Sequence, residues 1–332
     1  MEEEIDVQLN EADQLYISGK FFEAHFAYQN LIRATMGKKI PVEQKNLIKN
    51  RLKECVLRSK NEYKEISTEM NLTPEMIESI TRINNETIEK VGGNLLNLTK
   101  IAFSVNFISA SKDIEEKSNK NIPLFLQIAS MSSVTEDGYV SGNNEDYSAF
   151  EINLFKNYQM EQTLKGYLHT NYILKKLIDE KIFTTENFRQ LLSEKGLTHT
   201  DSNDFEILTY GIENYIKQDF ISAIHILVPQ FENLLLLVAE SAGIQTTVIE
   251  RGKATTKKVT LSDLFLKSEK MLNVFGKDFC LYLRYSLYSP LGLSIRHKIA
   301  HGTITKDECS ESNCNLVVVS IFILLDMINK KI

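Results

Sequence analysis

Apolar residues recur at three- and four-residue spacing along almost the whole chain, the period of a helix face and not the two-residue period of a strand. The pattern predicts an all-α fold. Five prolines and fourteen glycines are few enough to leave long helices unbroken, and they punctuate the chain where they occur. Pro41 opens a helical stretch to about residue 66. Thr73-Pro74 supplies a capping hydroxyl followed by proline at the first helical position, which predicts a helix to about Lys90, broken by Gly92-Gly93. Residues 94–111 are apolar enough for one packed interior helix. Residues 132–148 carry turn formers and charge with little to bury, which predicts a flexible loop. Helices are expected again over 151–181 and 185–194.

From residue 201 the punctuation is cleaner. Asp201-Ser202 can cap a helix to about Lys217, and a second helix runs from Asp219 to Ala242 and stops at Gly243. A polar stretch (245–258), helices over 261–275 and 278–289, a short segment (294–302) and an apolar helix (316–327) complete a bundle. At 332 residues, and about 150 per domain, the chain reads as two parts: a helical region over 1–200 and a helical-bundle domain over 201–332. Within the first part, Ala12, Leu15-Tyr16, Gly19, Phe21-Phe22, Ala24, Ala27-Tyr28 and Leu31-Ile32 form two short amphipathic stretches. Their spacing resembles one tetratricopeptide-type hairpin, a docking module. A stacked solenoid needs about three such units, and with no second copy in the sequence a plain helix pair is the other reading.

Composition narrows the class. With 43% hydrophobic and 25% charged residues, the chain falls in the range of folded globular proteins and outside that of disordered or collagen-like ones. The net charge of −6 argues against a bulk nucleic-acid coater. Met1-Glu2-Glu3-Glu4 is acidic where an export signal is basic, and the longest apolar run, 316–325, is shorter than the ~20 residues of a membrane helix. We therefore expect a cytoplasmic protein with no membrane partner. Cys55, Cys280, Cys309 and Cys314 show no paired C-x-x-C pattern and are expected as reduced thiols.

Charge is uneven, however. Residues 243–298 hold ten lysines and arginines against four acids, whereas residues 1–242 carry a net −11. The basic excess centres on Arg251, Lys253, Lys257 and Lys258, with Lys298 further on. These side chains suit RNA, because phosphate neutralisation dominates nucleic-acid affinity; a solvated loop without a ligand is the alternative. Tyr282, Tyr285 and Tyr288 flank Arg284 and either stack on bases or pack in the core.

The chemistry concentrates in Leu293-Ser294-Ile295-Arg296-His297-Lys298-Ile299-Ala300-His301-Gly302. On a helix, His297 and His301 lie within about 40° of each other. An imidazole can take or give a proton near neutral pH, and a guanidinium can grip phosphate oxygens bidentately. Glu232 and His225, seven residues apart on one predicted helix, are candidate supporting groups: Glu232 either pairs with Arg296 or is solvated. Pro229, inside that helix, predicts a kink. His297 and His301 also have metal-ligand spacing, with His225 or Glu232 as a third ligand, but nothing in the spacing demands an ion. No metal and no cofactor are expected.

Arg296 and His301 enclose polar His297 and three further residues, and the segment leads into the last long helix. This resembles the HEPN superfamily (higher eukaryotes and prokaryotes nucleotide-binding domain), whose signature is Arg, a polar residue, three variable residues and His. The run His225-Ile226-Leu227-Val228-Pro229-Gln230-Phe231-Glu232-Asn233-Leu234-Leu235 strengthens the likeness to an uncharacterised bacterial branch, over about 201–332. The resemblance implies a metal-independent endoribonuclease acting as a homodimer, in antiphage defence or a toxin-type stress response. His301 would then be the general acid or base, Arg296 the transition-state stabiliser, and His297, where many members carry Asn, an orienting group. Thr303 stands where the AMP-silenced toxins of the superfamily carry tyrosine, so that form of silencing is not expected. The acidic amino-terminal region would restrain the nuclease or bind a regulatory protein. The alternatives are a non-catalytic scaffold of the same fold and a helical adaptor.

Overall fold

The computed structural model describes residues 2–35, 38, 40–59, 72–104, 107–120, 132–134, 140–143, 147–197, 204–249, 256–259 and 261–331. It is all-α apart from two short hairpins. Contacts divide it into two compact units, Met1–Asn71 with Ile128–Ser148, and Leu72–Gln127 with Ala149–Ile332.

The first unit contains α1 (Glu2–Ile17), α2 (Phe21–Thr35) and α3 (Val42–Ser59). Gly19, at φ 77°, turns the chain between α1 and α2, a left-handed conformation that glycine adopts without a Cβ penalty. Ile5, Ala12, Ala24, Tyr28, Leu31, Ile48, Leu52 and Cys55 form its core. The expected helix pair is therefore a three-helix cluster. Strands β1 (Ser132–Val134) and β2 (Val140–Asn143) pair antiparallel where a flexible loop was expected.

The second unit begins with α4 (Pro74–Val91). The Thr73 hydroxyl accepts the Met76 N–H at its start, and Gly92 closes its end at φ 57°. The single helix expected over 94–111 is instead α5 (Leu95–Ile101), a turn, and α6 (Ser111–Lys120). Phe107 and Ile108 are buried in that turn, and apolarity alone does not distinguish a buried turn from a buried helix. Next come α7 (Ala149–Lys165), a π-helical turn (Gly166–Thr170), α8 (Asn171–Asp179) and α9 (Thr185–Glu194).

Helix α10 (Asp204–Ile216) packs against α11 (Phe220–Ser241), which Asp219 caps by accepting the Ser222 N–H. The contact is close because Gly211 has no side chain: a Cβ there would lie 2.7 Å from Leu227 Cδ2. Helix α11 runs through Pro229. Strands β3 (Thr247–Ile249) and β4 (Thr256–Lys258) form a hairpin in the polar stretch. The helix expected over 261–275 splits into α12 (Asp263–Leu266) and α13 (Glu269–Phe275), because Ser262 and Ser268 each cap a new start. Helix α14 (Lys277–Leu283) ends in a second π-helical turn (Arg284–Tyr288), and α15 (Ile295–His301) and α16 (Glu311–Lys331) follow.

Local punctuation places a boundary at residues 200/201, but one continuous core runs from Val91 to Ile328. Phe183 and Phe188 of the earlier segment pack edge-on against Phe322 of α16. Residues 72–197 thus share the interior of the bundle. Among the described residues, two helices, Phe220–Ser241 and Glu311–Ile328, are long and apolar enough to cross a membrane; 50% and 67% of those windows are buried inside the fold. The four cysteines are free and buried, and burial pushes the Cys280 and Cys314 thiols up to about 12.

Candidate active site

Helix α15 is seven residues long, and its ends fix it in place. Ser294 starts it at φ 52°, a left-handed backbone that costs a non-glycine residue about 1–3 kcal/mol and persists only where neighbours enforce it. Here the enforcement is visible: the Leu293 N–H donates to the Tyr285 carbonyl at 2.8 Å, and Ser294 is buried. At the other end Gly302 turns at φ 66°, and the Thr303 N–H reaches back to the Lys298 carbonyl at 2.8 Å, a Schellman closure.

This short helix presents Arg296, His297 and His301 together. The Arg296 Nε donates to Glu232 Oε1 of α11 at 3.0 Å, with side chains 26% and 20% exposed. Of the two sequence alternatives for Glu232, the pairing is the one observed. The same oxygen accepts the Tyr288 hydroxyl at 3.2 Å. Burial, then the Glu232 carboxylate, pushes the Tyr288 phenol well above its ordinary value, so it stays a donor across the neutral range.

The His297 and His301 rings, both exposed, stand 4.3 Å apart between centroids with a 52° tilt. Partial burial, then His301, then Arg296 lower the His297 pKa from its ordinary 6.5. That shift favours a neutral His297 beside Arg296.

Other candidates are placed differently. His225 is exposed, and its Nδ1 pairs with the Ile221 carbonyl of its own helix at 2.8 Å. Lys298 is tied to Glu308, which also accepts the Thr305 N–H at 2.9 Å. Lys257 and Lys258 lie on β4 opposite Val248 and Thr247, while Arg251 and Lys253 fall outside the described residues. Tyr282, Tyr285 and Tyr288 are all buried, which corrects the base-stacking alternative in favour of the core. Among the described residues, no group of three or more His, Cys, Asp or Glu side chains is arranged to hold a metal ion.

Among the described residues, five of the ten lysines and arginines of residues 243–298 meet acids, including Lys267, Lys277 and Arg284. Arg284 donates to Asp263 at 2.8 Å and to Glu151 at 3.3 Å, and its guanidinium lies 5.1 Å from the Phe155 ring centre. Lys267 joins the same two carboxylates, and Lys277 pairs with Glu115 at 2.6 Å. Two pairings at the site escaped the sequence: Tyr288 with Glu232, 56 positions away, and Glu308 with Lys298, ten positions away. No periodicity links residues so placed. No protein-family model, curated protein or solved structure matches the chain.

Proposed function

We propose that the chain is a metal-independent endoribonuclease of the HEPN type, working as a homodimer, with Arg296, His297 and His301 as its catalytic groups. The observation that carries this is the clustering of two imidazoles with centroids 4.3 Å apart, next to a guanidinium anchored at 3.0 Å, on one short helix closed at Gly302. The resemblance of the Arg-x-x-x-x-His motif supports the same reading.

The chemistry follows from the residue types. A neutral imidazole takes the proton of a ribose 2′-hydroxyl as the 2′-oxygen attacks phosphorus. The phosphorus–5′-oxygen bond breaks, and the leaving oxygen receives a proton from a charged imidazole, giving a 2′,3′-cyclic phosphate and a 5′-hydroxyl. Each proton transfer contributes about 10²–10⁴-fold. Arg296 offsets the charge that builds on the phosphorane. Antiphage defence or toxin-type stress is the setting that the resemblance suggests.

Purified protein incubated with total RNA in excess EDTA tests this. Wild type should leave 2′,3′-cyclic phosphate ends, and Arg296→Ala and His301→Ala should not. Equal cleavage by all three proteins would refute the assignment.

A second reading, a helical adaptor, draws on the exposed aromatic pair Phe22 and Phe26 of α2, whose rings meet edge-on at 5.1 Å. In that case Phe22→Ser with Phe26→Ser abolishes biological function, while His301→Ala leaves it intact.

A further inference from the structure

We propose that Tyr288 and Glu232 form a positioning pair that aims the two terminal nitrogens of Arg296 at a phosphate oxygen of the bound ligand. The part that concerns reaction rate rests on the ribonuclease proposal; the part that concerns anion binding does not.

Glu232 holds the guanidinium by its inner nitrogen. Among the described residues, the hydrogen bond of Arg296 uses Nε alone, at 3.0 Å. Nη1 and Nη2, the two ends of the fork that matches a phosphate bidentately, are left for a ligand. A carboxylate bound only to this arginine would swing with it. The Tyr288 hydroxyl prevents that by donating to the same Oε1 at 3.2 Å.

Tyr288 suits this role because it is itself immobile. It is 8% exposed and closes a π-helical turn, a local widening that re-aims side chains at functional positions. The Ser289 N–H returns to the Arg284 carbonyl at 2.8 Å just beyond it. The order of support thus runs from core tyrosine to half-buried carboxylate to half-exposed guanidinium. The ligand class that fits is a phosphate mono- or diester, whose oxygens take two parallel N–H donors.

The test uses the full chain and inorganic phosphate. The Arg296 Nε–Hε NMR resonance is assigned by its loss in Arg296→Lys, then followed during phosphate titration of wild type, Tyr288→Phe and Glu232→Gln, with RNA cleavage measured in parallel. Tyr288→Phe should keep a cooperative melt, move the Nε–Hε resonance and raise the phosphate Kd about 5–10-fold, the scale of one ordinary hydrogen bond. In cleavage assays it should raise KM more than it lowers kcat. An unchanged resonance and a Kd within about twofold of wild type overturn the pair, as does a wild type that binds no phosphate. Should Tyr288→Phe not fold, Glu232→Gln is judged on the same two readouts. A phosphate affinity that depends on Tyr288, in a protein that cleaves no RNA, overturns the ribonuclease proposal and sustains the positioning pair. Cleavage that ignores Tyr288, with an unmoved Arg296 signal, does the reverse.

Discussion

Gly292→Ala should damage the protein more than any other single methyl addition at the glycines described above, and the reason lies in what the methyl would meet. A Cβ at Gly292 would stand 2.8 Å from both Cα and C of Tyr285, and closer still to its carbonyl oxygen. Ordinary van der Waals contact begins near 3.4 Å, so the obstacle must move, and it is backbone. That same carbonyl holds the Leu293 N–H at 2.8 Å and so supports the left-handed Ser294 that starts the site helix. Overpacking costs about 1–3 kcal/mol, and a lost buried hydrogen bond about 1–3 more, so ~2–4 kcal/mol is expected after partial relaxation. For a unit of this size that lowers Tm by about 5–15 °C.

Gly211→Ala is the control. Its Cβ would meet Leu227 Cδ2 at 2.7 Å, Ile226 Cγ2 at 2.9 Å and Leu227 Cγ at 3.1 Å, all side-chain atoms and none of them backbone. Alanine also favours the helix interior by ~1 kcal/mol. Set against an overpacking cost of about 1–3 kcal/mol, this leaves a net loss of about 0–2 kcal/mol, smaller than for Gly292→Ala. Thermal melts by circular dichroism compare the two variants, and the Arg296 Nε–Hε signal reports whether the site moves with Gly292→Ala. A Gly292→Ala melt within about 2 °C of wild type, with that signal unmoved, would refute the reasoning.

Arg296→Lys keeps the charge but loses both the Nε anchor to Glu232 and the fork, so cleavage should fall by about 10²–10³-fold; near-normal cleavage would mean that charge alone suffices. His297 should titrate below 6.5 by NMR, and Arg296→Ala should raise its midpoint, since Arg296 contributes to the lowering; an unaltered midpoint contradicts that cause. In the first unit, His25 is 2% exposed with both ring nitrogens unpartnered among the described residues, and burial alone lowers its pKa. The unfolded chain therefore binds the proton more readily. The stability contributed by neutral His25 is full above about 6.5 and lost as pH falls toward the folded value, by at most ~1.4 kcal/mol per pH unit. Melts of wild type and His25→Leu between pH 7.5 and pH 5 check it: parallel pH dependence would remove His25 as the cause. Thr73→Ala should cost ~1 kcal/mol through loss of the α4 cap, read from urea midpoints.

Helix content and most helix ends could be read from the sequence, because their signals act within one turn. Thr73, Asn94 and Thr184 each accept the N–H two or three residues on, and Gly92 and Gly302 stop helices where a left-handed residue is needed. The same holds for His297 and His301, neighbours by helix geometry at four residues. What the three-dimensional packing decided lies beyond that reach. Glu232 meets Arg296 across 64 positions and Tyr288 meets Glu232 across 56, distances over which no periodic pattern survives. For the same reason Lys267, Lys277, Arg284, Arg296 and Lys298 meet Glu151, Glu115, Glu232 and Glu308, which reach them from other parts of the chain. The boundary at residue 200 follows local punctuation, whereas burial joins residues 72–197 to the later bundle through Phe183, Phe188 and Phe322. Backbone geometry writes caps and turns into neighbouring residues; hydrophobic burial is non-directional, so the partners it brings together are decided only by the fold as a whole.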